Sequence, residues 1–483
     1  MHAMTPTKEH IILFPYLAQG HFISFMSLAA TLHHRNPCST ITFVTTPANV
    51  HNLRPTIPPN SSICLAALPF HGPDHGLPPN KESADLLEFP LSLRLFQAYQ
   101  TLKPAFQNLV LDITKKDSRP PLAIISDIFS GWTVDIAKQL GIFQAVFISS
   151  GAYGTAVYFS LYLNLPHLKT DSDEFLLPDF PEPVLLHRSQ MDKEFFQQAD
   201  DENDDGWLTT SLQADGFLFN TLEELEKAGL EYFRKKTNRP AWGIGPLKNI
   251  RHARKQPGIS VDSCISWLDL HPPSSVLYIS FGSENTMSAS QMKDLAMVLE
   301  SIGKPFIWVI RPPSGFSTNE EFRGEWLPEG FEERVREKKQ GILVRRWAPQ
   351  LEILSHASTS TFLSHCGWNS TLESLSRGVP LIGWPLAAEQ FYTVKMMEEL
   401  GVCVEIARGD GREIERDEAG RVIEMVMGKK GEEMRRKALQ VKEMMELAVK
   451  EDEEFPGSSM KALDEFLRTI SRKKENQHPK LEK

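Results

Sequence analysis

Residues 361–374 read TFLSHCGWNSTLES. The first four suit the end of a buried strand, and the last six have the pattern of a helix start. Between them stand a His, a Gly and a Trp. A helix start needs only one small polar cap, and Ser370-Thr-Leu-Glu373 already spells a capping box. Capping accounts for Ser370 and Glu373 but leaves His365, Gly367 and Trp368 unexplained. A helix N-terminus aimed away from a strand end is an anion site, worth about 0.3–1 kcal/mol when exposed. Gly367 allows close backbone approach there, and His365, Asn369 and Ser370 are donors for phosphate oxygens. Glu373, one turn on, suits a ribose diol.

Strand-to-helix alternation runs outward from this point through the whole chain. HIILFP (10–15), ITFVTT (41–46), LAIIS (122–126), AVFI (145–148) and GFLFN (216–220) read as strands of a first series. SVLYISF (275–281), FIWVIR (306–311), GILVRR (341–346), TFLS (361–364) and VPLIGW (379–384) form a second. Ser288-Ala-Ser-Gln291 is a further capping box, and 242–258, rich in Gly, Pro and charge, reads as a linker. The expected class is α/β, with two doubly wound domains facing a central cleft. The expected spans are a first domain at 1–247, a linker at 248–260, and a second domain at 261–455. A C-terminal helix packing back on the first domain, with a frayed tail, is expected at 456–483. In such sheets ligands sit at the carboxyl ends of strands.

A chain of 483 residues exceeds one hydrophobic core, which agrees with two domains. With 52 Lys plus Arg against 62 Asp plus Glu, the net charge of −10 speaks against nucleic acid as a partner. Arg435, Arg436 and Lys437 follow Glu432 and Glu433 and read as a solvated helix face. The acidic run DDENDD (200–205) has no packing pattern, and the polar tail 471–483 reads as frayed. Five scattered cysteines without a Cys-x-x-Cys pair fit a reducing compartment rather than a disulfide scaffold or a structural zinc site. No apolar run approaches the roughly 18 residues that cross a bilayer. A cytoplasmic monomer without an integral membrane segment is the expectation.

Two further strand ends carry chemistry. Trp347-Ala348-Pro349-Gln350 follows GILVRR and offers an aromatic platform for a base beside a rigid turn. Glu389-Gln390 follows VPLIGWPLAA, where a carboxylate and an amide can read sugar hydroxyls. Residues 347–390, WAPQLEILSHASTSTFLSHCGWNSTLESLSRGVPLIGWPLAAEQ, resemble the signature box of plant secondary-product UDP-glycosyltransferases, family 1 enzymes of the GT-B fold. FPYLAQGH, SDIF, FLFNTLEELE and LYISFGS extend the resemblance over residues 10–470. It implies that Trp347 stacks on uracil, Ala348 meets its edge, and Gln350 and Glu373 contact ribose. It further implies that Ser283, His365, Asn369 and Ser370 hold the diphosphate, with Gly367 in the cradle. Trp368, Glu389 and Gln390 then face the sugar, and a final Gln in the box accompanies UDP-glucose in this family. Ser360 and Ser24 depart from the family's usual Gly and Pro, and Glu389 from a frequent Asp.

The first half must supply the base. His21 follows Gly20 in the expected loop after the first strand, and Asp127 ends LAIIS. A His oriented by a carboxylate is a general-base pair. The expected reaction is inverting transfer of glucose from UDP-glucose to a hydroxyl of an apolar small molecule, such as a flavonoid or other phenolic. A phenol near pKa 10 holds its proton against an imidazole near 6.5 by roughly 5 kcal/mol, so proton loss accompanies attack. Ser149, ending AVFI, is expected at the sugar. No metal or other cofactor is expected, since Asp171-Ser-Asp173 falls in a polar stretch rather than at a strand end. Transfer to carbon or onto an existing sugar is the alternative within enzymes, and a non-catalytic UDP-sugar or lipophile binding protein the alternative outside them. No Gly-x-Gly-x-x-Gly or Gly-x-Ser-x-Gly follows a strand, which argues against a nicotinamide enzyme or a serine hydrolase.

Overall fold

The computed structural model describes residues 9–57, 61–191, 206–248, 258–284, 286–316, 320–409 and 414–477. The first strands are β1 (His10–Phe14), β2 (Thr40–Thr45), β3 (Ile63–Ala67), β4 (Ala123–Asp127) and β5 (Phe143–Ile148). A hairpin of β6 (Glu174–Leu176) and β7 (Leu185–His187) forms its own two-stranded antiparallel sheet. With β8 (Gly216–Phe219) and β9 (Ala241–Gly243) the first sheet closes in the order β3-β2-β1-β4-β5-β8-β9, parallel throughout. The second sheet contains β10 (Val276–Ser280), β11 (Phe306–Ile310), β12 (Gly341–Arg345), β13 (Thr359–Ser364), β14 (Leu381–Gly383) and β15 (Cys403–Glu405). Its order is β12-β11-β10-β13-β14-β15, again all parallel.

Parallel sheets covered by helices bury both faces, which is why VLYIS and FIWVI are apolar without alternation and every residue of β10 and β11 is buried. The capping box at Ser288 and Gln291 is formed and starts the helix Ala289–Ile302. Five strands fall outside the sequence reading, the three-residue β6 and β7 of the hairpin among them. β3 is an edge strand with a mixed burial pattern, and β9 and β15 have three residues each. Strands that short carry no period to read.

The supposed linker at 242–258 is corrected in its first part. Trp242 and Gly243 belong to β9, and Ile244 and Leu247 are buried in the same core. What drew the linker reading was the Gly-Pro punctuation, which here serves a turn between buried residues. Residues 249–257 and the acidic run at 200–205 lie outside the described residues.

By packing, the described residues up to 149, from 206 to 248 and from 448 onward form one compact unit, and those from 150 to 191 and from 258 to 447 form another. Residues 150–191 lie within the expected span of the first domain yet pack in the second unit. The helix Ala152–Asn164 lies against the helix Gln390–Glu399, and Gly154 allows the approach: a Cβ there would stand 3.1 Å from the Glu389 carbonyl oxygen and from Thr393 Oγ1.

In the first unit the C-terminal helix Ser458–Gln477 buries Met460, Leu463, Phe466 and Ile470 in the core of the first sheet. Phe466 meets Trp242 edge-on at 5.4 Å, and Lys473 Nζ pairs with Asp215 at 2.6 Å. Helix therefore continues to Gln477 where fraying was expected from 471, and 478–483 lie outside the described residues. The basic cluster is corrected as well. Arg435 donates to the main-chain oxygens of Thr359 and Ser360 at the start of β13, and burial lowers its pKa. A long side chain on an otherwise charged helix thus satisfies a strand end.

Candidate active site

In the first unit three adjacent strands bring the chemistry together. β4 lies between β1 and β5, with Phe14 opposite Ser126 and Asp127 opposite Phe147. Their carboxyl ends therefore collect the segment after β1, Asp127 at the end of β4, and Ser149 just past β5. His21 is not in a loop as expected but in the first turn of the helix Gln19–Arg35. Ala18, the residue before that helix, makes no side-chain cap.

His21 Nδ1 stands 2.6 Å from Asp127 Oδ2, with 21% of the His side chain and 1% of the Asp side chain exposed. The same oxygen accepts from the Tyr16 N–H at 3.2 Å, and Oδ1 accepts from the Phe129 N–H at 3.3 Å. A carboxylate only accepts, so Nδ1 carries the hydrogen, and in the neutral ring Nε2 holds the lone pair. That is the tautomer a general base needs. Ser149 Oγ lies 3.2 Å from Nδ1, beside the imidazole.

An aromatic surround completes this half. The Tyr16 ring stands edge-on to His21 at 5.5 Å, and Phe129 lies at 5.8 Å. Phe96 packs on both Tyr16 and Phe129. Tyr99 donates to the Pro15 main-chain oxygen, and burial, then the Asp127 charge, push its phenol well up. Tyr16, Phe96 and Phe129 were missed as site residues. FPYL and SDIF showed two of them in the sequence, but only the fold shows that their rings meet the imidazole.

In the second unit the chain leaves β13 through Cys366, whose N–H donates to Ser364 Oγ at 3.1 Å and whose φ is 59°. Gly367 is the N-cap of the helix Trp368–Leu375 and makes no side-chain cap. The expected capping box is therefore absent: the helix starts two residues before Ser370. Ser370 and Glu373 turn instead to Gln350, whose Nε2 donates to Glu373 Oε2 at 2.8 Å and to Ser370 Oγ at 3.3 Å. Asn369 is half-buried, and Trp368 is only 2% exposed.

His365 lies between two glycines. A Cβ on Gly282 would stand 2.6 Å from its Cε1 and Nε2, and one on Gly367 would stand 2.5 Å from Nε2. Gly282 also has φ +72°, a second reason for glycine. Burial, then the Arg311 charge, push the imidazole down to about 4, so it is neutral at pH 7 and donates from one nitrogen only. Arg311 directly follows β11 and is buried, with Nη1 donating to the Ser283 main-chain oxygen at 2.7 Å. Sequence reading missed this cation because it ends an apolar strand without any motif around it.

Trp347 is half-buried and held from behind: its carbonyl oxygen accepts from the Gly258 N–H at 2.6 Å. A Cβ on Gly258 would fall 2.1 Å from the Arg345 oxygen. Ala348 accepts from the Gln350 N–H at 2.8 Å. Gln390 differs from its expected double role. Its Oε1 accepts from the N–H groups of Leu386 and Ala387 at 2.9 and 3.2 Å, so the loop holds the oxygen and the amide can only donate outward. Glu389, half-buried, precedes it as the N-cap of its helix. Asp171 and Asp173 are exposed. Among the described residues no cluster of three or more His, Cys, Asp or Glu is arranged to hold a metal, and no helix is long and apolar enough to cross a membrane.

Two parallel-sheet α/β units with these strand ends define the class, a GT-B glycosyltransferase. Residues 270–437 match the family described as UDP-glucoronosyl and UDP-glucosyl transferase. The chain is 42% identical over 480 residues to UDP-glycosyltransferase 92A1 of Arabidopsis thaliana, covering 96% of this chain and 97% of that one. It is 43% identical over 443 residues to crocetin glucosyltransferase 3 of Crocus sativus, covering 87% and 90%. The solved structure of UGT73P12 of Glycyrrhiza uralensis, complexed with glycyrrhetinic acid 3-O-monoglucuronide, aligns with a TM-score of 0.83 at 28% identity over 98% and 97% of the chains. The chain belongs to the plant family 1 UDP-glycosyltransferases and is a glycosyltransferase enzyme.

Proposed function

We propose that the enzyme moves glucose from UDP-glucose to a hydroxyl of an apolar aromatic small molecule, with inversion at the anomeric carbon. The observation that carries this reading is the His21–Asp127 pair at 2.6 Å, with Tyr16 and Phe129 against the imidazole and Phe96 packed on both of them. Nε2 takes the acceptor proton while the oxygen attacks the carbon from the face opposite UDP, and Asp127 stabilises the imidazolium that forms. The leaving diphosphate is met by the uncapped N-terminus of the helix Trp368–Leu375, by neutral His365, and by Asn369, Ser370 and Ser283. Trp347 and Ala348 hold the uracil, and the Gln390 amide donates to a sugar hydroxyl beside Glu389 and Trp368. Gly367 lets the backbone close on the diphosphate.

In this reading the charge is carried by backbone dipoles and side chains without a metal, so turnover survives a chelator. The enzyme works as a monomer in a reducing cytosol, which size-exclusion chromatography and the thiol state of its five cysteines in the cell check. The glucosyl donor is supported by the glucosyltransferase relative. A second reading, extension of a sugar already on the acceptor, is favoured by the monoglucuronide bound in the Glycyrrhiza structure. The test is mass-detected turnover of UDP-glucose against phenolic, terpenoid and glycoside acceptors. A gain of one hexose on an aglycone supports the first reading, and a gain only on glycosides the second. UDP binding without product on any acceptor points to a donor other than UDP-glucose.

A further inference from the structure

A buried tyrosine behind the donor site carries an inference that rests on the reading above and deepens it. Tyr278, in the middle of β10, is 1% exposed. Register sets it opposite Phe362 of β13, and the two rings stack at 4.7 Å. Its hydroxyl donates to Gln350 Oε1 at 3.0 Å. The other end of the same amide donates to Glu373 Oε2 at 2.8 Å and to Ser370 Oγ at 3.3 Å.

The direction of this chain is fixed by chemistry. Glu373, buried at 3% exposure, is a carboxylate and only accepts, so Gln350 must turn its NH2 to it. The oxygen then faces Tyr278, which has a hydrogen to give. Both hydrogens and the oxygen of the amide are thereby engaged within the chain. A carboxylate accepts several donors at once and can take a hydroxyl in addition to Gln350.

We propose that Tyr278 and Gln350 are positioning residues: through the Gln350 amide, Tyr278 fixes the Glu373 carboxylate as the group that reads the ribose hydroxyls of the nucleoside diphosphate. The brace ties three segments, β10, the short helix Gln350–Ser355 and the helix Trp368–Leu375, so its loss loosens the carboxylate without emptying the site.

The test compares UDP with 2′-deoxy-UDP and 3′-deoxy-UDP by calorimetry. A carboxylate that bonds a hydroxyl makes the native protein prefer UDP over at least one analogue by roughly tenfold or more. Tyr278→Phe keeps the ring and its stacking, and shrinks that preference at least about threefold, with the donor KM raised and kcat changed less than about twofold. Gln350→Met shrinks it likewise, and adding Tyr278→Phe to Gln350→Met changes it no further. This second variant keeps the test open if the tyrosine substitution impairs folding. Equal losses for UDP and both analogues mean a purely structural tyrosine and overturn the proposal, as does an unchanged ratio in both variants. Native protein that binds UDP without ribose preference overturns it too. Native protein that binds no UDP at all sinks the functional reading instead, a result distinct from the others.

Discussion

On the proposed reading, the two units carry their chemistry in opposite ways. In the first, function concentrates in one contact, a 2.6 Å bond between a partly exposed His and a buried Asp. In the second, it is spread over a helix end, two glycines against His365 and an amide brace through Gln350. A proton has to be moved by one group at the moment of reaction, whereas a diphosphate can be held by many weak donors at once. Damage in the first unit should therefore appear in kcat, and damage in the second in the affinity for UDP.

The largest expected effect is at Asp127. Asp127→Asn replaces an acceptor by an amide and loses control of the His21 tautomer, and kcat falls by up to about 10⁴ with UDP affinity kept. Steady-state kinetics beside calorimetry reads both. Next comes His365. Its folded pKa of about 4 lies below the unfolded 6.5. Stability from the neutral ring is therefore complete above pH 6.5 and is lost as pH falls toward 4, by at most about 3 kcal/mol. Thermal melts from pH 7.5 to 4.5 should show a drop that His365→Gln flattens. Smallest is Gly367→Ala. The added Cβ must push His365 aside, and UDP binding weakens by about tenfold while kcat at saturating donor is nearly kept. A large loss of kcat with intact UDP binding in that variant would break the comparison.

How much of this was legible in the sequence also divides by unit. The second site lies largely in one 44-residue stretch, 347–390, so a continuous resemblance could locate it. Even there the reading failed where side chains answer to distant segments. Ser370 and Glu373 look like a cap but turn to Gln350, and the Gln390 oxygen is spent on its own loop. Arg311 leaves no local pattern at all.

The first site was legible only as two strand ends, His21 and Asp127. Its aromatic lining comes from 16, 96 and 129, residues that only the strand order and the helix Phe89–Gln100 bring together. The long central strands were readable because burial on both faces writes an apolar run. β3, β9 and β15 were not, being at an edge or three residues long. Arg435 shows the same limit: composition reads its charge, but only the fold shows the main-chain oxygens it meets.

The most direct measurement is the UDP dissociation constant and kcat of His21→Ala beside native protein, with one acceptor that turns over. The account predicts a kcat lower by about 10²–10⁴ and a UDP affinity within about twofold of native. Retained turnover, or a loss of UDP affinity matching the loss of rate, would contradict the division of labour between the two units.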